Sequence, residues 1–407
     1  MSKALLSVAD ALARVLDGAQ PLPCEAVPLT EAAGRVLCQD LAALRTQPPA
    51  DMSAMDGYAV RAADVAQVPA TLNVAGEVAA GRPFEGTVGP GQAARIFTGG
   101  VVPPGADTIV IQENTEKDGE RVLVKQPEKP GRHIRRAGLD FKAGQVLLPK
   151  GRHLTDRDVM LTAAMNHPSV PVHRRPKIAV LATGDELRAP GSALGPGEIV
   201  YSNGFALLAL ARAEGADVID LGIVPDRVEA TVEAIRRARA TGADILVTTG
   251  GASVGDYDLV QRGLSAEGLA LSFWRVALRP GRPMMNGRLG EMHVLGLPGN
   301  PVSAYVCALL FLVPLIRRLC GRADEAPAPE SAVLGCDLPK NDERADYMRA
   351  TLTPGPDGIP VAVPVKIQDS SMMAALAKAD CLVVREPFAP AAKAGGRCSI
   401  LRLTRPF

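Results

Sequence analysis

Two short segments of the sequence combine carboxylates and glycines in spacings that suit metal and phosphate chemistry. The residues Thr183-Gly184-Asp185-Glu186 follow a short apolar run and supply two carboxylates directly after it. The segment 249–258 supplies three glycines, a serine and an aspartate: Gly250, Gly251, Gly255, Ser253 and Asp258. The glycines let consecutive backbone N–H groups turn toward one anion, and the serine adds a hydroxyl. The aspartate stands at a predicted helix start, where it either caps the helix or binds a hydrated Mg²⁺.

Two further segments add a helix start and a group of arginines. The residues Pro298-Gly299-Asn300-Pro301 place a glycine before a helix N-terminus, whose unpaired N–H groups form a ready anion site. The asparagine suits the capping position, and the second proline suits the first helical one. Arg275, Arg279 and Arg282 surround a Pro-Gly turn. Arg279 and Arg282 flank this turn and could converge on a phosphate or another oxyanion.

Each of these segments also has an ordinary structural interpretation. Carboxylates favour the first turn of a helix, glycines favour tight turns, and arginines are common in solvated surface turns. Four such segments at one edge of one sheet are more specific than any single one. Together they indicate a site for an ATP- or AMP-like phosphoanhydride with Mg²⁺.

The elements that must position these segments follow from the spacing of apolar residues. Short apolar runs predict strands at 178–182, 218–221, 245–249 and 294–297. Helical patterns predict helices at 202–214, at 226–240, from residue 258 onward and at 301–319. Strands that alternate with helices predict a doubly wound α/β sheet. Ligands of such sheets bind beyond the carboxyl ends of the strands, where all four segments stand.

The remaining sequence predicts mostly β structure. Residues 1–20 predict one helix, and residues 22–48 predict extended chain. Residues 50–140 are rich in Gly and Pro with short Val/Ile runs, which predicts an all-β insert. Thr155-Asp156 form a plausible N-cap pair of a helix. After a Pro/Ala/Glu linker at 324–331, residues 332–407 return to short β runs.

Length and composition exclude several classes of protein. A chain of 407 residues predicts two to four domains. Lys+Arg 45 against Asp+Glu 44 argues against nucleic-acid binding. The N-terminus lacks the features of a signal peptide, and the longest apolar run, 308–316, is too short to span a membrane, so we expect a soluble, cytoplasmic protein. Seven cysteines without a C-x-x-C pair predict reduced thiols, and the five scattered histidines predict no structural zinc site.

A family resemblance joins these segments to motifs elsewhere in the chain. The sequence S-A-M-D-G-Y-A-V at 53–60 precedes T-G-D-E-L at 183–187, G-G-x-S-V-G at 250–255 and G-L-P-G-N-P at 296–301. In this order, over essentially all 407 residues, they resemble the molybdopterin molybdenumtransferase family, which includes MoeA and the gephyrin E-domain. Segments 96–100, 135–140 and 368–371 extend the resemblance.

The resemblance implies four domains and a homodimer. The α/β domain would comprise 1–20 and 176–325, and a linking domain would comprise 21–48 and 141–175. The β-rich insert would span 49–140, and a C-terminal β domain would span 326–407. The active cleft would lie between the α/β domain of one subunit and the insert of the other.

The resemblance also implies a set of site residues. The catalytic positions would be Asp56, Thr98, Asp140, Glu186, Asp226, Asp258, Arg275, Arg279 and Ser370. Three of these acids would hold Mg²⁺: Glu186, Asp226 and Asp258. Substrate-binding positions would be Thr183, Gly184, Asp185, Gly250, Gly251, Ser253, Gly255, Arg282, Pro298, Gly299, Asn300 and Pro301. The chain departs from the family by Arg for Lys at 275, 279 and 282, Leu139 for an acid and Ser371 for His.

The implied reaction transfers molybdate onto the dithiolene of adenylylated molybdopterin and releases AMP. Because the substrate supplies the sulfur ligands, the protein needs no Cys/His site of its own. Molybdopterin adenylyltransferase and molybdoenzyme acceptors are implied protein partners. The alternatives are a molybdopterin adenylyltransferase, a paralogue that handles tungstate, or a non-catalytic dimeric scaffold.

Overall fold

The computed structural model describes residues 5–250, 259–355 and 358–403. The chain begins with helix α1 (Val8–Leu16), whose cap Ser7 accepts a hydrogen bond from the backbone N–H of Asp10. The helix is shorter than the predicted 1–20, because Ser7 caps one end and Gly18 follows the other in the left-handed conformation, with φ +64°. Strands β1 (Cys24–Pro28) and β2 (Leu41–Ala42) then lead into the insert.

The insert is all β, as the Gly- and Pro-rich sequence predicts. Its strands are β3 (Met52–Ser53), β4 (Gly57–Val60), β5 (Ala70–Val78), β6 (Gln92–Ile96), β7 (Thr108–Ile111), β8 (Thr115–Asp118), β9 (Arg121–Val124) and β10 (Ile134–Arg135). Six of them form one sheet in the order β7-β4-β6-β5-β9-β8, and β3 pairs with β10. Two buried apolar clusters pack on this sheet, one around Tyr58 and Val122 and the other around Ile96 and Ile109.

The chain then returns to complete the linking region. Strand β11 (Val146–Leu148) pairs with β2, and β12 (Ser169–His173) pairs with β1. Between them lies helix α2 (Asp156–Ala164). Thr155 caps this helix as predicted, in a capping box with Asp158. A buried cluster around Leu37 and Phe141 fills the region.

One prediction about the cysteines is wrong. Cys24 and Cys38 form a disulfide, with their Cα atoms 6.0 Å apart. The pairing of β1 with β12 places Cys24 opposite His173, and the N–H of Cys38 donates to Pro171 on the same strand. Both cysteines contact strand β12, which lies more than 130 residues further along the chain, and this brings them together. The spacing of the two cysteines in the sequence therefore does not indicate the bond. The other five cysteines are free thiols.

The central region is an α/β sheet. Its elements are β13 (Lys177–Thr183), β14 (Leu187–Arg188), β15 (Ile199–Val200), α3 (Asn203–Ala213), β16 (Asp217–Val224), α4 (Val228–Ala240), β17 (Ile245–Thr249), α5 (Leu259–Ala266), β18 (Ala270–Arg275), β19 (Leu278–Arg279), β20 (Pro283–Leu289), β21 (Met292–Leu297), α6 (Pro301–Cys307) and α7 (Val313–Leu319). The six main strands run in the order β16-β13-β17-β21-β20-β18. The first four are parallel, and β20 and β18 add an antiparallel edge.

Helices cover both faces of this sheet, as the predicted doubly wound fold requires. One core joins α1, α3, α6 and α7 to one face, and a second joins α4 and α5 to the other. A π-helical turn, Ala308–Leu312, links α6 to α7 into one run, Pro301–Leu319. This run is long and apolar enough to cross a membrane by composition, but 83% of its most apolar stretch is buried inside the protein. The burial of this run explains its apolar composition, and we therefore interpret it as a core helix.

The C-terminal region is a small closed β structure. It comprises β22 (Glu330–Leu334), β23 (Ala345–Thr353), β24 (Val361–Pro364), α8 (Met373–Ala377), β25 (Cys381–Arg385) and β26 (Arg397–Arg402). The order β23-β24-β22-β26-β25 closes because β25 also pairs with β23. Strand β19 adds to β23 in parallel, so the α/β region contributes a strand to this sheet.

Candidate functional site

The predicted loops meet at the carboxyl edge of the parallel strands. Because β16, β13, β17 and β21 are neighbours in this order, the loops that follow them lie side by side. Gly250 approaches Thr183 so closely that a Cβ on it would lie 2.4 Å from the Thr183 carbonyl oxygen. Its φ of +85° also requires glycine. A Cβ on Gly299 would lie 3.7 Å from the Cα of Gly250. Three of the predicted positions are therefore in contact.

Carboxylates cluster at the β13 and β16 ends of this row. The backbone N–H of Asp185 donates to Asp226 Oδ2 at 3.3 Å, and the N–H of Asp226 donates to Asp185 Oδ1 at 3.1 Å. The Glu186 carboxylate folds over Gly184, 2.6 Å from where a Cβ would stand. Desolvation raises the pKa of Asp226, and the charges of Asp185 and Glu186 raise it further. Three acids therefore share a small region that holds excess negative charge.

Asp226 does not cap the helix that follows it. Helix α4 begins at Val228 with Arg227 in the capping position, and no side chain caps it. The Asp226 carboxylate instead accepts a hydrogen bond from the backbone N–H of Asp185 in the loop after β13. Among the described residues, no three Asp, Glu, His or Cys side chains are grouped so that they could hold a metal by themselves. Asp258, Gly251, Ser253 and Gly255 lie outside the described residues.

The 298–301 loop joins the sheet to the C-terminal region. Asn300 occupies the capping position of α6, and Pro301 occupies the first turn, as predicted. The Asn300 side chain does not cap the helix, however, because its Nδ2 donates to Ser370 Oγ at 2.9 Å. The N–H of Val302 donates to the Ser370 carbonyl oxygen at 3.0 Å. Asn203 Nδ2 donates to the Gly299 carbonyl oxygen at 2.7 Å and holds the loop against α3. Ser370 thus lies directly at the sheet edge.

A buried arginine that the sequence reasoning missed holds the Ser370 segment. Arg349 on β23 is only 1% exposed. Its guanidinium donates to Gln368 Oε1 and to three backbone carbonyls, those of Ile367, Asp369 and Met372. Desolvation lowers the pKa of Arg349. The only signal in the sequence is a charged residue within an apolar β run, which alone does not say what the charge binds.

One of the three predicted arginines, Arg279, bonds the C-terminal region. Arg279 donates to Asp342 Oδ2 at 3.0 Å, to Asn341 Oδ1 at 3.0 Å and to Asp346 Oδ2 at 2.7 Å. The hydrogen bond to Asp346 is the main cause of its raised pKa. In this conformation Asn341 and carboxylates of the C-terminal region hold Arg279, and the expectation that Arg279 and Arg282 bind one anion together stays a prediction.

Arg275 and Arg282 instead line a separate cavity of about 940 Å³. Its lining also includes four polar residues that were missed from the sequence: Arg14 of α1, Ser272, Trp274 and Glu343. The indole N–H of Trp274 is buried and has no hydrogen-bond partner among the described residues. Three guanidinium groups and one carboxylate therefore line this cavity, and its excess positive charge can attract anions.

In the insert, Asp56 and Thr98 form a tight pair. Asp56 Oδ1 accepts from the backbone N–H of Thr98 at 2.7 Å and from its hydroxyl at 2.8 Å. These two hydrogen bonds lower the pKa of Asp56, so the carboxylate stays charged at ordinary pH. Asp140 is exposed near the junction with the linking region, where its N–H donates to Gln47. The pairing of Asp56 with Thr98 was not predicted.

Comparison with known proteins agrees with this arrangement. Family models match in order: MoeA N-terminal region (domain I and II) at residues 6–166, probable molybdopterin binding domain at 179–318, and MoeA C-terminal region (domain IV) at 331–403. A molybdopterin molybdenumtransferase of Haemophilus influenzae is 37% identical over 369 residues, 90% of each chain. The chain belongs to the molybdopterin molybdenumtransferase family. A relative of that name from a Nostoc species is 42% identical over 306 residues, 74% of this chain and 70% of the relative.

The molybdopterin molybdenumtransferase family assignment extends to the fold. A crystal structure described as a molybdopterin biosynthesis MoeA protein from Pyrococcus horikoshii superposes with a TM-score of 0.85 at 29% identity. The superposition covers 99% of this chain and 100% of the Pyrococcus chain. The MoeA-type architecture predicted from the resemblance is therefore confirmed. Within it, two departures from the family are placed: Leu139 is 68% exposed, and the Ser371 hydroxyl bonds Asp369 at 2.6 Å.

Proposed function

We propose that this protein inserts molybdenum into adenylylated molybdopterin and releases AMP, with molybdate as the second substrate. The observation that carries the proposal is the junction at the sheet edge. There the loops after β13, β17 and β21 meet, and Ser370 from the C-terminal region bonds Asn300. The family of the chain supports the same reaction, because its relatives carry the name molybdopterin molybdenumtransferase.

Different residues along this edge would bind different parts of the substrates. The amide of Gly250 would help to hold phosphate oxygens, because glycine turns leave N–H groups unpaired. At the start of α6 the N–H of Val302 is already bonded to Ser370. Asn300 and Ser370 supply polar groups beside the same loop. Guanidinium groups of Arg275 and Arg282 draw anions such as molybdate toward the neighbouring cavity. The pterin supplies the sulfur ligands for molybdenum, so no Cys/His cluster is needed.

Mg²⁺ fits the acid cluster of Asp185, Glu186 and Asp226. Desolvation, and then the charges of Asp185 and Glu186, raise the pKa of Asp226, and a hard cation with oxygen ligands would relieve this local negative charge. Glu186 and Asp226 would hold the ion, with Asp258 as a further ligand. When bound, Mg²⁺ supplies Lewis-acid polarisation of the phosphoanhydride.

A homodimer is part of this proposal, because the family resemblance implies a cleft between the α/β domain of one subunit and the insert of the other. In the insert, Asp56 is held in place by its hydrogen bonds from Thr98. A charged, pre-oriented carboxylate in a β insert suits a cleft shared with a second subunit. Mixing two inactive variants, Asp56→Asn and Asp226→Asn, tests this arrangement. With subunit exchange about half of the dimers are mixed, each with one intact cleft, so about a quarter of wild-type activity should return. If the two residues serve the same subunit's cleft, no activity returns.

The reaction itself is tested by AMP release from adenylylated molybdopterin, with and without molybdate. Molybdate-dependent release is expected. AMP release at the same rate with and without molybdate, by protein that is shown to bind the substrate, would overturn the proposal. Consumption of ATP in the presence of molybdopterin would indicate an adenylyltransferase instead, and competition by tungstate would measure oxyanion preference.

A further inference from the structure

An apolar cavity of about 400 Å³ lies where α3, α6 and α8 meet, and we call it the interdomain groove. Its walls are mainly apolar side chains from both the α/β and the C-terminal regions: Leu207, Ala304, Met373, Leu376, Ala377 and Leu403. Ser202, Asn203 and Pro301 add polar or rim positions. The size and the mostly apolar lining with few polar groups are typical of small-molecule sites.

The groove is continuous with the predicted substrate loops. Pro301 lines it and directly follows Asn300, which bonds Ser370. Asn203 also lines it and donates to the carbonyl oxygen of Gly299. Gly299 in turn contacts Gly250. A ligand whose phosphate lies against these loops can therefore extend its other end into the groove without leaving the site.

The chemistry of the lining selects the kind of group that fits. None of the groove's described lining residues is an Asp or Glu, so nothing there repels a nearby phosphate. Methionine and leucine side chains favour the faces of a flat ring, and the sulfur of Met373 adds polarizable contact. The Ser202 hydroxyl donates to Met373 Sδ at 3.4 Å, which leaves its oxygen as an acceptor beside that contact for an N–H at the edge of a ring.

We infer that the interdomain groove binds the flat heteroaromatic ring of a phosphate-bearing ligand, the purine or the pterin end of the substrate. This inference rests on the proposed function, because that function supplies the two candidate rings. The C-terminal region then has a direct part in recognising substrate: α8 forms one wall of the groove, and the Ser370 segment holds α8 beside α6.

A matched pair of variants on α8 tests the inference. Ala377→Trp fills the groove, whereas Ala374→Trp adds the same ring at an exposed position of the same helix that does not line it. Binding of AMP and of neopterin, each alone, is measured by calorimetry on the full chain without Mg²⁺ or molybdate. We expect Ala377→Trp to weaken binding of one of the two probes at least tenfold and Ala374→Trp to change it less than twofold.

The probe that is affected identifies the ring. Loss of AMP binding assigns the purine end, and loss of neopterin binding assigns the pterin end. The inference is overturned if Ala377→Trp and Ala374→Trp bind both probes equally well, or if the wild type binds neither probe. If Ala377→Trp does not fold, Met373→Glu against Met372→Glu provides the same contrast, since Met373 lines the groove and Met372 does not. Because the assay contains no molybdate, its outcome is separate from the outcome of the insertion assay.

Discussion

Asn300 Nδ2 and Ser370 Oγ are 2.9 Å apart, and this hydrogen bond connects the start of α6 to the C-terminal region across 70 residues of sequence. The backbone of the same serine accepts a second bond from Val302. The site edge is therefore formed by two regions of the chain, and its geometry depends on how they are docked.

Ser370→Ala removes the hydroxyl but keeps the backbone bond to Val302. We expect little change in thermal stability, because an exposed neutral hydrogen bond contributes about 1 kcal/mol or less. We expect molybdate-dependent AMP release to fall at least tenfold. Ser371→Ala is the matched control, since that hydroxyl bonds Asp369 rather than the substrate loop. Equal activity losses in the two variants would contradict a specific part for Ser370.

Arg349→Met should lower stability by about 3 kcal/mol, because three carbonyls and the Gln368 side chain lose their donor in a buried position. The Ser370 segment should also lose its fixed position, so activity falls with stability. Denaturant unfolding and AMP release together check this. Arg397→Met changes an exposed arginine that donates to Ser331 Oγ, and it should leave both nearly unchanged.

Arg279→Lys should lower stability by about 1 kcal/mol, because one ammonium cannot reproduce separate donors to Asn341, Asp342 and Asp346. Activity should survive if the arginine only joins the two regions. Arg397→Lys is the control, since that exposed arginine of β26 donates to Ser331 and is not among the proposed binding residues. A drop in activity for Arg279→Lys at unchanged stability would assign the arginine to substrate binding.

Asp226 predicts a pH dependence of Mg²⁺ binding. Desolvation and the carboxylates of Asp185 and Glu186 raise its pKa above 3.8, and metal binding requires the ionised form. Mg²⁺ affinity should therefore begin to fall at a higher pH than for an isolated aspartate. In the metal-free protein, the same shift adds stability as pH falls from the folded pKa toward 3.8, because the folded state then binds the proton more readily.

Calorimetric Mg²⁺ titrations at a series of pH values check the affinity, and Asp226→Asn should remove both the tight binding and its pH dependence. Asp220→Asn, a neutralisation on β16 away from the strand's carboxyl end, controls for the loss of one charge. A pH-independent affinity in the wild type would argue against Asp226 as a ligand.

The disulfide between Cys24 and Cys38 closes a short loop of separation 14, and such loops contribute about 3 kcal/mol by restricting the unfolded chain. Reductant should lower the unfolding midpoint of the wild type. The Cys24→Ser/Cys38→Ser variant should unfold at the lower midpoint with or without reductant. A midpoint that reductant leaves unchanged in the wild type would mean that the bond does not form in solution.

A feature could be predicted from the sequence when the residues that determine it are neighbours in the sequence. The strand at 245–249 matches Ile245–Thr249, because a run buried on both faces is apolar throughout. Helix α6 begins at Pro301 as its cap and proline indicate. The antiparallel edge was missed because β18 and β20 carry no pattern that fixes their direction.

Contacts between distant segments could not be predicted. Arg279 stands beside a Pro-Gly turn that looks solvated, yet its partners are 62 to 67 residues further along. Arg349 and the Cys24–Cys38 bond depend likewise on strands brought together by the fold. The family resemblance predicted Ser370 as a site residue, but its hydrogen bond with Asn300 is visible only in the folded structure.

The continuous run Pro301–Leu319 also carries a mechanical consequence. At about 1.5 Å per residue its 19 residues span roughly 28 Å. One end bears the Asn300 loop, and near the other end Arg317 bonds Glu214, whose side chain is fully buried. Arg322 joins the same carboxylate just beyond the run. The run therefore connects the substrate loop at one end to buried ion pairs at the other, and these ion pairs fix the position of the helix on which the loop stands.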